Sequence, residues 1–102
     1  MARKQIKWYN IPGTSTKVRL DRGEYTNGNL GIILVTKEGE DYCDLTVNLG
    51  SPFQSKSKAF LDINNFRDAE EFVTANGLGV FTGIMGASGF CTYPLYDFSI
   101  KP

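Results

Sequence analysis

Tyr25-Thr26-Asn27-Gly28-Asn29-Leu30-Gly31-Ile32-Ile33-Leu34-Val35, then Glu38-Gly39-Glu40-Asp41, then Tyr42-Cys43-Asp44-Leu45-Thr46-Val47-Asn48-Leu49, is the stretch that decides the fold. Asn27-Gly28 between two strand-like runs predicts a hairpin, with a type I′ turn that needs φ > 0 at both central positions. The polar break centred on Gly39 turns the chain a second time, so the reading is a three-strand meander whose apolar face the remaining chain must cover. Leu30, Ile32 and Leu34 alternate with Ile33 and Val35, so the middle strand is apolar on both faces and should be central. Gly31 within it marks a bulge or a close approach by another segment. Cys43, Leu45, Val47 and Leu49 alternate with Asp44, Thr46 and Asn48, the cleanest period-two pattern in the chain.

Working outward, Val18 and Leu20 alternate with Arg19 and Asp21 in a half-buried strand that leads into the hairpin. Before it, residues 1–16 are poorly defined. Trp8-Tyr9 is placed in a short edge strand that Pro12-Gly13 ends. After the meander, Gly50–Lys58 reads as a loop punctuated by Pro52 and three serines, and Ala59–Ile63 returns as a short strand. A helix follows, with Asn64 or Asn65 as its cap, Asp68, Glu70 and Glu71 near its positive end, and Asn76-Gly77 closing it. Phe66, Ala69, Phe72 and Val73 give that helix one apolar stripe over about three turns. In the glycine-punctuated last quarter, Val80-Phe81 and Ile84-Met85 form a short strand or turn pair. Phe90, Thr92, Pro94, Tyr96, Phe98 and Ile100 then share one face of a strand that Pro94 places at an edge or breaks. The expectation is a single α+β domain: a mainly antiparallel sheet of about five to six strands with one helix packed on one face, its core within residues 17–100.

Composition excludes several classes. An apolar fraction of 41% and a charged fraction of 22% are those of a globular chain. No apolar run approaches the roughly 20 residues needed to span a bilayer. Met1-Ala2-Arg3-Lys4 leads into no apolar signal core, so the expected location is cytoplasmic. The net charge is zero but unevenly spread: residues 1–22 carry six basic groups against Asp21, and the rest carry five basic and ten acidic groups. The two ends are expected to neutralise one another on folding, with the helix carboxylates as the nearest acidic face.

Chemistry-bearing motifs are few. There is no histidine, which removes the commonest general base and the commonest metal ligand. Cys43 and Cys91 each lack a neighbouring thiol or imidazole and are read as small buried hydrophobes rather than nucleophiles. The Asp41–Asp44 pair sits at a turn and on a polar face, where solvated carboxylates belong. The late glycines follow a helix and lead into strands, the wrong order for a phosphate loop. No catalytic, metal or cofactor site is expected.

Three motifs carry a resemblance: Tyr25-Thr26-Asn27-Gly28-Asn29-Leu30-Gly31-Ile32, Leu45-Thr46-Val47-Asn48-Leu49, and Ser88-Gly89-Phe90-Cys91-Thr92-Tyr93-Pro94-Leu95-Tyr96. Over roughly residues 17–100 the chain resembles a family of small uncharacterised proteins, a domain of unknown function carried by phages, plasmids and conjugative elements of Gram-positive bacteria. The resemblance implies a cytoplasmic accessory protein of a mobile element that acts on a host protein. It brings no binding or catalytic residues with it.

The leading functional expectation is therefore a non-enzymatic protein-binding module, with Tyr25, Tyr42, Phe53, Tyr93 and Tyr96 as candidate interface residues. The alternative is a nucleic-acid module that holds phosphates with Arg3, Lys4 and Lys7 and stacks bases on Trp8 and Tyr9. The oligomeric state is left open.

Overall fold

Glycines set the turns. In the computed structural model, which describes residues 6–49 and 55–99, β2 (Lys17–Glu24) and β3 (Leu30–Thr36) pair in continuous antiparallel register from Val18↔Thr36 to Glu24↔Leu30. The hairpin lies where Asn27-Gly28 predicted it, but the turn is different. Tyr25 N–H donates to the Asn29 carbonyl and Gly28 N–H to the Tyr25 carbonyl, and only Gly28 takes a positive φ, of 86°. This is a three-residue loop with glycine in the left-handed position, not a two-residue I′ turn. Thr36 and Glu40 repeat the arrangement around Gly39, at φ 85°.

The third strand of the meander does not run straight. β4 (Asp41–Asp44) pairs with β3, and β1 (Tyr9–Asn10) pairs with β2, completing a first sheet of order β1-β2-β3-β4. One residue later the chain has left it. Thr46–Val47 is β5, the edge of a second sheet of order β5-β6-β8-β7, in which β6 is Lys58–Leu61, β7 is Val80–Ser88 and β8 is Cys91–Asp97. Leu45 is the corner, a bend by which a chain passes between packed sheets. Its N–H donates to Ile32 of β3 at 2.9 Å, its carbonyl accepts from Asp62 N–H at 2.9 Å, and its side chain is fully buried. The expected single sheet of five to six strands is thus two four-stranded antiparallel sheets.

The corner also corrects the period-two reading of residues 43–49. A bend at one residue reverses which side chains face inward. Cys43 packs beside Leu45 in the main core, whereas Val47 and Leu49 pack with Phe60, Tyr93 and Leu95 in a second cluster. Thr46, expected on the wet face, is 2% exposed. Its Oγ1 accepts from Ile32 N–H at 3.0 Å and lies 2.9 Å from Tyr25 Oη, and the Tyr25 hydroxyl also reaches the Thr46 carbonyl at 3.2 Å.

The helix α1 (Ala69–Ala75) is shorter than its stripe predicted. The chain reaches it through turns at residues 63–68. There Asp62 accepts from Asn65 N–H and Nδ2 and, through its carbonyl, from Phe66 N–H. The position before the helix is Asp68, without a side-chain cap bond, so neither Asn64 nor Asn65 serves that role. The closing signal is as read: Gly77 N–H bonds Thr74 and Leu78 N–H bonds Val73, a Schellman pair with Gly77 at φ 62°. Phe66, Ala69, Phe72 and Val73 are all buried, in one cluster with Val18, Ile32 and Leu34 of the first sheet and Ala59, Leu61 and Tyr96 of the second. The helix therefore closes a core that both sheets share. Full burial of Phe72 alone contributes roughly 1.5–3 kcal/mol.

β8 is central despite Pro94. Strand bonds alternate in direction along an antiparallel pair. The Leu95 carbonyl turns toward β7, where Thr82 Oγ1 donates to it at 2.9 Å. Phe98 N–H turns the other way, to Ser57 at 2.8 Å. By that alternation the proline nitrogen faces the β6 side, where the β6–β8 register has ended at Phe60↔Leu95. A missing donor costs nothing there. Among the described residues no helix is long and apolar enough to cross a membrane.

The corner makes a specific prediction. Thr46→Val keeps the shape but leaves Ile32 N–H buried and unpaired, which should cost about 1–3 kcal/mol, while Thr46→Ser, retaining the acceptor, should cost less. Leu45→Ala should cost about 2–5 kcal/mol. Urea unfolding of the three variants checks the order; a Val variant as stable as the Ser variant would mean that the hydroxyl does not hold the corner.

Candidate interaction surface

The candidate tyrosines are not brought together. Tyr96 is 3% exposed, and its hydroxyl donates to Glu70 Oε1 of α1 at 2.8 Å. Burial first, then that bond and the carboxylate's charge, push its ionisation well above the usual tyrosine range. Tyr93 is 8% exposed in the second cluster. Both are buried in packing within the chain. Tyr25 lies against the corner, over Gly31, where an added Cβ would stand 3.2 Å from its ring. It lines a cleft of about 230 Å³ whose rim carries Asp21, Glu24 and Asp44. Tyr42 is the exposed one, packed edge-on to Phe66 at 6.2 Å. Phe53 lies outside the described residues.

Of the basic-aromatic group, Lys7, Trp8 and Tyr9 lie within the described residues. Arg3 and Lys4 lie outside the described residues. Lys7 is exposed, but Lys37 Nζ sits 5.3 Å from the centroid of the Trp8 ring, so a cation of the chain itself occupies one face. Tyr9 packs against the main core from β1. Among the described residues the helix carboxylates form no ion pair with the basic N-terminal segment: Glu70 takes the Tyr96 hydroxyl, and the ion pair formed there is Lys56–Glu24, at 3.5 Å on the surface.

Exposed apolar side chains gather instead on the β7–β8 hairpin. Ser88↔Cys91 closes it, with Gly89 at φ 61° and no positive φ at Phe90, a two-residue turn of the II′ kind with glycine in first place. That geometry throws Phe90 out at the tip, where it is 110% exposed, and takes it out of the strand in which its spacing placed it with Thr92 and Pro94. Along β7, Ile84 is 56% and Met85 50% exposed, with Phe81 beside Tyr96 at the margin. β7 is also longer than the strand or turn pair read from the sequence. Its register shifts between Phe81 and Met85, where Gly83 has φ 88° and Thr82 supplies a side-chain bond in place of a backbone one. Gly86 admits the Phe60 ring, since a Cβ there would stand 2.5 Å from it. A signal for this surface was present in the sequence: residues 72–96 contain no charged residue.

A family model described as a domain of unknown function (DUF4313) matches residues 19–101. The chain belongs to the DUF4313 family. The match spans nearly the residues over which the three motifs carried the resemblance. Comparison with curated proteins and with solved structures returns no match.

In this DUF4313 domain the thiols stand apart, Cys43 on the first sheet and Cys91 on the second, and neither is in a disulfide. Burial, with the charges of Asp44 and Asp62, pushes the Cys43 thiol from 9.0 up to about 11. A thiol nucleophile needs the opposite shift. Among the described residues no group of three His, Cys, Asp or Glu side chains is placed to hold a metal ion.

The Cys43 environment predicts slow alkylation. At pH 8 a thiol raised from 9.0 to about 11 holds about 100-fold less thiolate, so iodoacetamide should modify Cys43 correspondingly more slowly in the folded protein than in urea. The same shift fixes a sign for stability. A group whose ionisation is raised by folding stabilises fully below its unfolded value and loses that contribution as pH climbs through the folded one. Stability should therefore fall between about pH 9 and 11, less so in Cys43→Ala. Equal alkylation rates in the folded and unfolded states would contradict this environment.

Proposed function

We propose that this chain is a non-enzymatic protein-binding module that docks through the β7–β8 hairpin. The observation that carries the reading is Phe90, a fully exposed aromatic at the tip of a hairpin whose residues 80–96 carry no charge. Aromatic anchors surrounded by uncharged, desolvatable surface are what protein interfaces concentrate, with charged residues depleted at their centres. Ile84 and Met85 extend the apolar surface along the adjoining strand. The wider setting belongs to the same proposal: a cytoplasmic accessory protein of a mobile element, with a host protein as its partner, supported by the motif resemblance. The nucleic-acid alternative is the weaker one, because the hairpin carries no cation to meet a phosphate and Lys37 already covers the Trp8 ring.

Affinity capture tests it, with purified full-length protein as bait in an extract of the cell that carries the gene. The wild type should retain one stoichiometric protein. Phe90→Ser and Met85→Lys should weaken that capture by about 10-fold or more, while Lys7→Ala keeps it. Equal capture by all four baits would remove the hairpin from the interface. Salt-sensitive retention of single-stranded oligonucleotide that Lys7→Ala abolishes would favour the alternative.

A further inference from the structure

Four strands end the two sheets, and three of them are blunted. β1 and β5 are two residues each, and β4 is four residues with Asp41 and Asp44 at its ends. Short length and charge are the usual means by which an edge avoids pairing with another chain. β7 has neither. It is nine residues long and uncharged, is interrupted by the register shift between Phe81 and Met85, and beyond that shift is half exposed at Met85.

We propose that the occupant of the β7 edge is a second copy of this chain, joined β7 to β7 in antiparallel register about a two-fold axis. The inference rests on the reading of the hairpin as a protein-docking surface and divides it: the β7 edge takes the second copy, and Phe90 at the tip is left for the other protein. The backbone sets where pairing can run. From Met85↔Pro94 to Ser88↔Cys91 the β7–β8 register is unbroken. With Ser88 and Cys91 flanking a two-residue turn, Ser88 and Gly86 spend their backbone groups on β8, so those of Ala87 and Met85 point away from the sheet. The register shift before Met85 confines an added strand to this half of β7.

Charge selects the occupant. An antiparallel row of donors and acceptors reads the same in both directions, so it is complementary to itself under a two-fold axis. The side chains allow that meeting, because an uncharged patch brings no like charges together when it faces its own copy, and the whole chain has a net charge of zero. A charged peptide strand would find no counter-charge between residues 72 and 96. In the pairing, Met85 and Ala87 of both copies come to one face of the seam and Met85 leaves water, and Phe90 of each lies near its end.

Sedimentation equilibrium of the purified full-length protein, without any partner, should return twice the chain mass of 11.3 kDa, with dissociation on dilution. Met85→Lys sets like charges across the seam and should weaken dimerisation by about 10-fold or more; Ala87→Lys, also at an exposed position, serves if the first variant unfolds. In a Cys43→Ser, Cys91→Ser background, single cysteines placed in turn at residues 84–88 should cross-link most rapidly at one position, the one nearest the axis, and a cysteine at Asp41 on β4 should not cross-link. A monomer at every concentration overturns the inference, as does a dimer indifferent to both lysine variants. The two readings fail separately. A monomeric protein that captures another protein through Phe90 sinks the second copy and keeps the docking surface. A dimer whose hairpin variants capture normally does the reverse.

Discussion

The Thr46 hydroxyl is the interaction on which the two sheets depend. Leaving one sheet for another within a single residue breaks the ladder on both sides of the corner, and a buried donor left over there costs about as much as a lost hydrogen bond. Ile32 N–H is such a donor, and Thr46 Oγ1 accepts it. The same oxygen meets Tyr25 Oη, so the ring that closes the β2–β3 hairpin is tied to the first residue of the second sheet. Leu45 fills the space between, bonded through its N–H to β3 and through its carbonyl to Asp62. With the corner in place, the inner faces of both sheets turn toward Phe66, Phe72 and Val73, and one core results.

This joint accounts for two of the motifs that carry the family resemblance. Tyr25 reaches Thr46. Asn27 and Asn29 both donate to the Asn48 side chain, at 3.2 and 3.1 Å. Asn29 also accepts from Ser55 N–H at 2.8 Å, drawing in the segment that leads to β6. Gly31 leaves room for the Tyr25 ring. Residues 19 to 26 apart in the chain are thus partners in one polar clasp, and their chemistry is spent on holding the sheets together. Among the described residues no buried side-chain nitrogen or oxygen lacks a partner, so the clasp leaves no aimed and unused group from which to argue a ligand.

Much of this was legible where a local rule has a single physical outcome. Gly28, Gly39 and Gly77 occupy left-handed positions that other residues avoid, and each turn or helix end appears where its glycine stands. The stripe from Phe66 to Val73 is buried as its spacing required, although the helix is short, because burial constrains faces and not ends. Reading failed where one residue alters the frame for those that follow. The bend at Leu45 shifts the inward face from Val47 to Thr46, and the alternation in the sequence carries no mark of it. Pro94 reads as an edge or a break, and the strand is central, with the missing donor on the side where β6 no longer pairs. Tyr93 and Tyr96, attractive as anchors by residue type, were claimed by the core.

Phe90 differs from every one of these because the fold does not ask for it. The turn requires glycine at its first central position and nothing in particular at its second. A side chain there that is fully exposed gains no burial energy, and serine or asparagine would serve the hairpin as well. The same holds in part for Ile84 and Met85, whose strand is held by Thr82, by the register with β8 and by the seat of Phe60 on Gly86. Scattered exposed apolar residues are ordinary and need no account. Here they lie together on the one long edge, within the stretch of sequence that has no charge, while the other edges are short or acidic. Packing explains the tyrosines that the sequence offered as contacts. What packing leaves unexplained is the hairpin, and contact with another protein surface would give those side chains the burial that their own fold withholds.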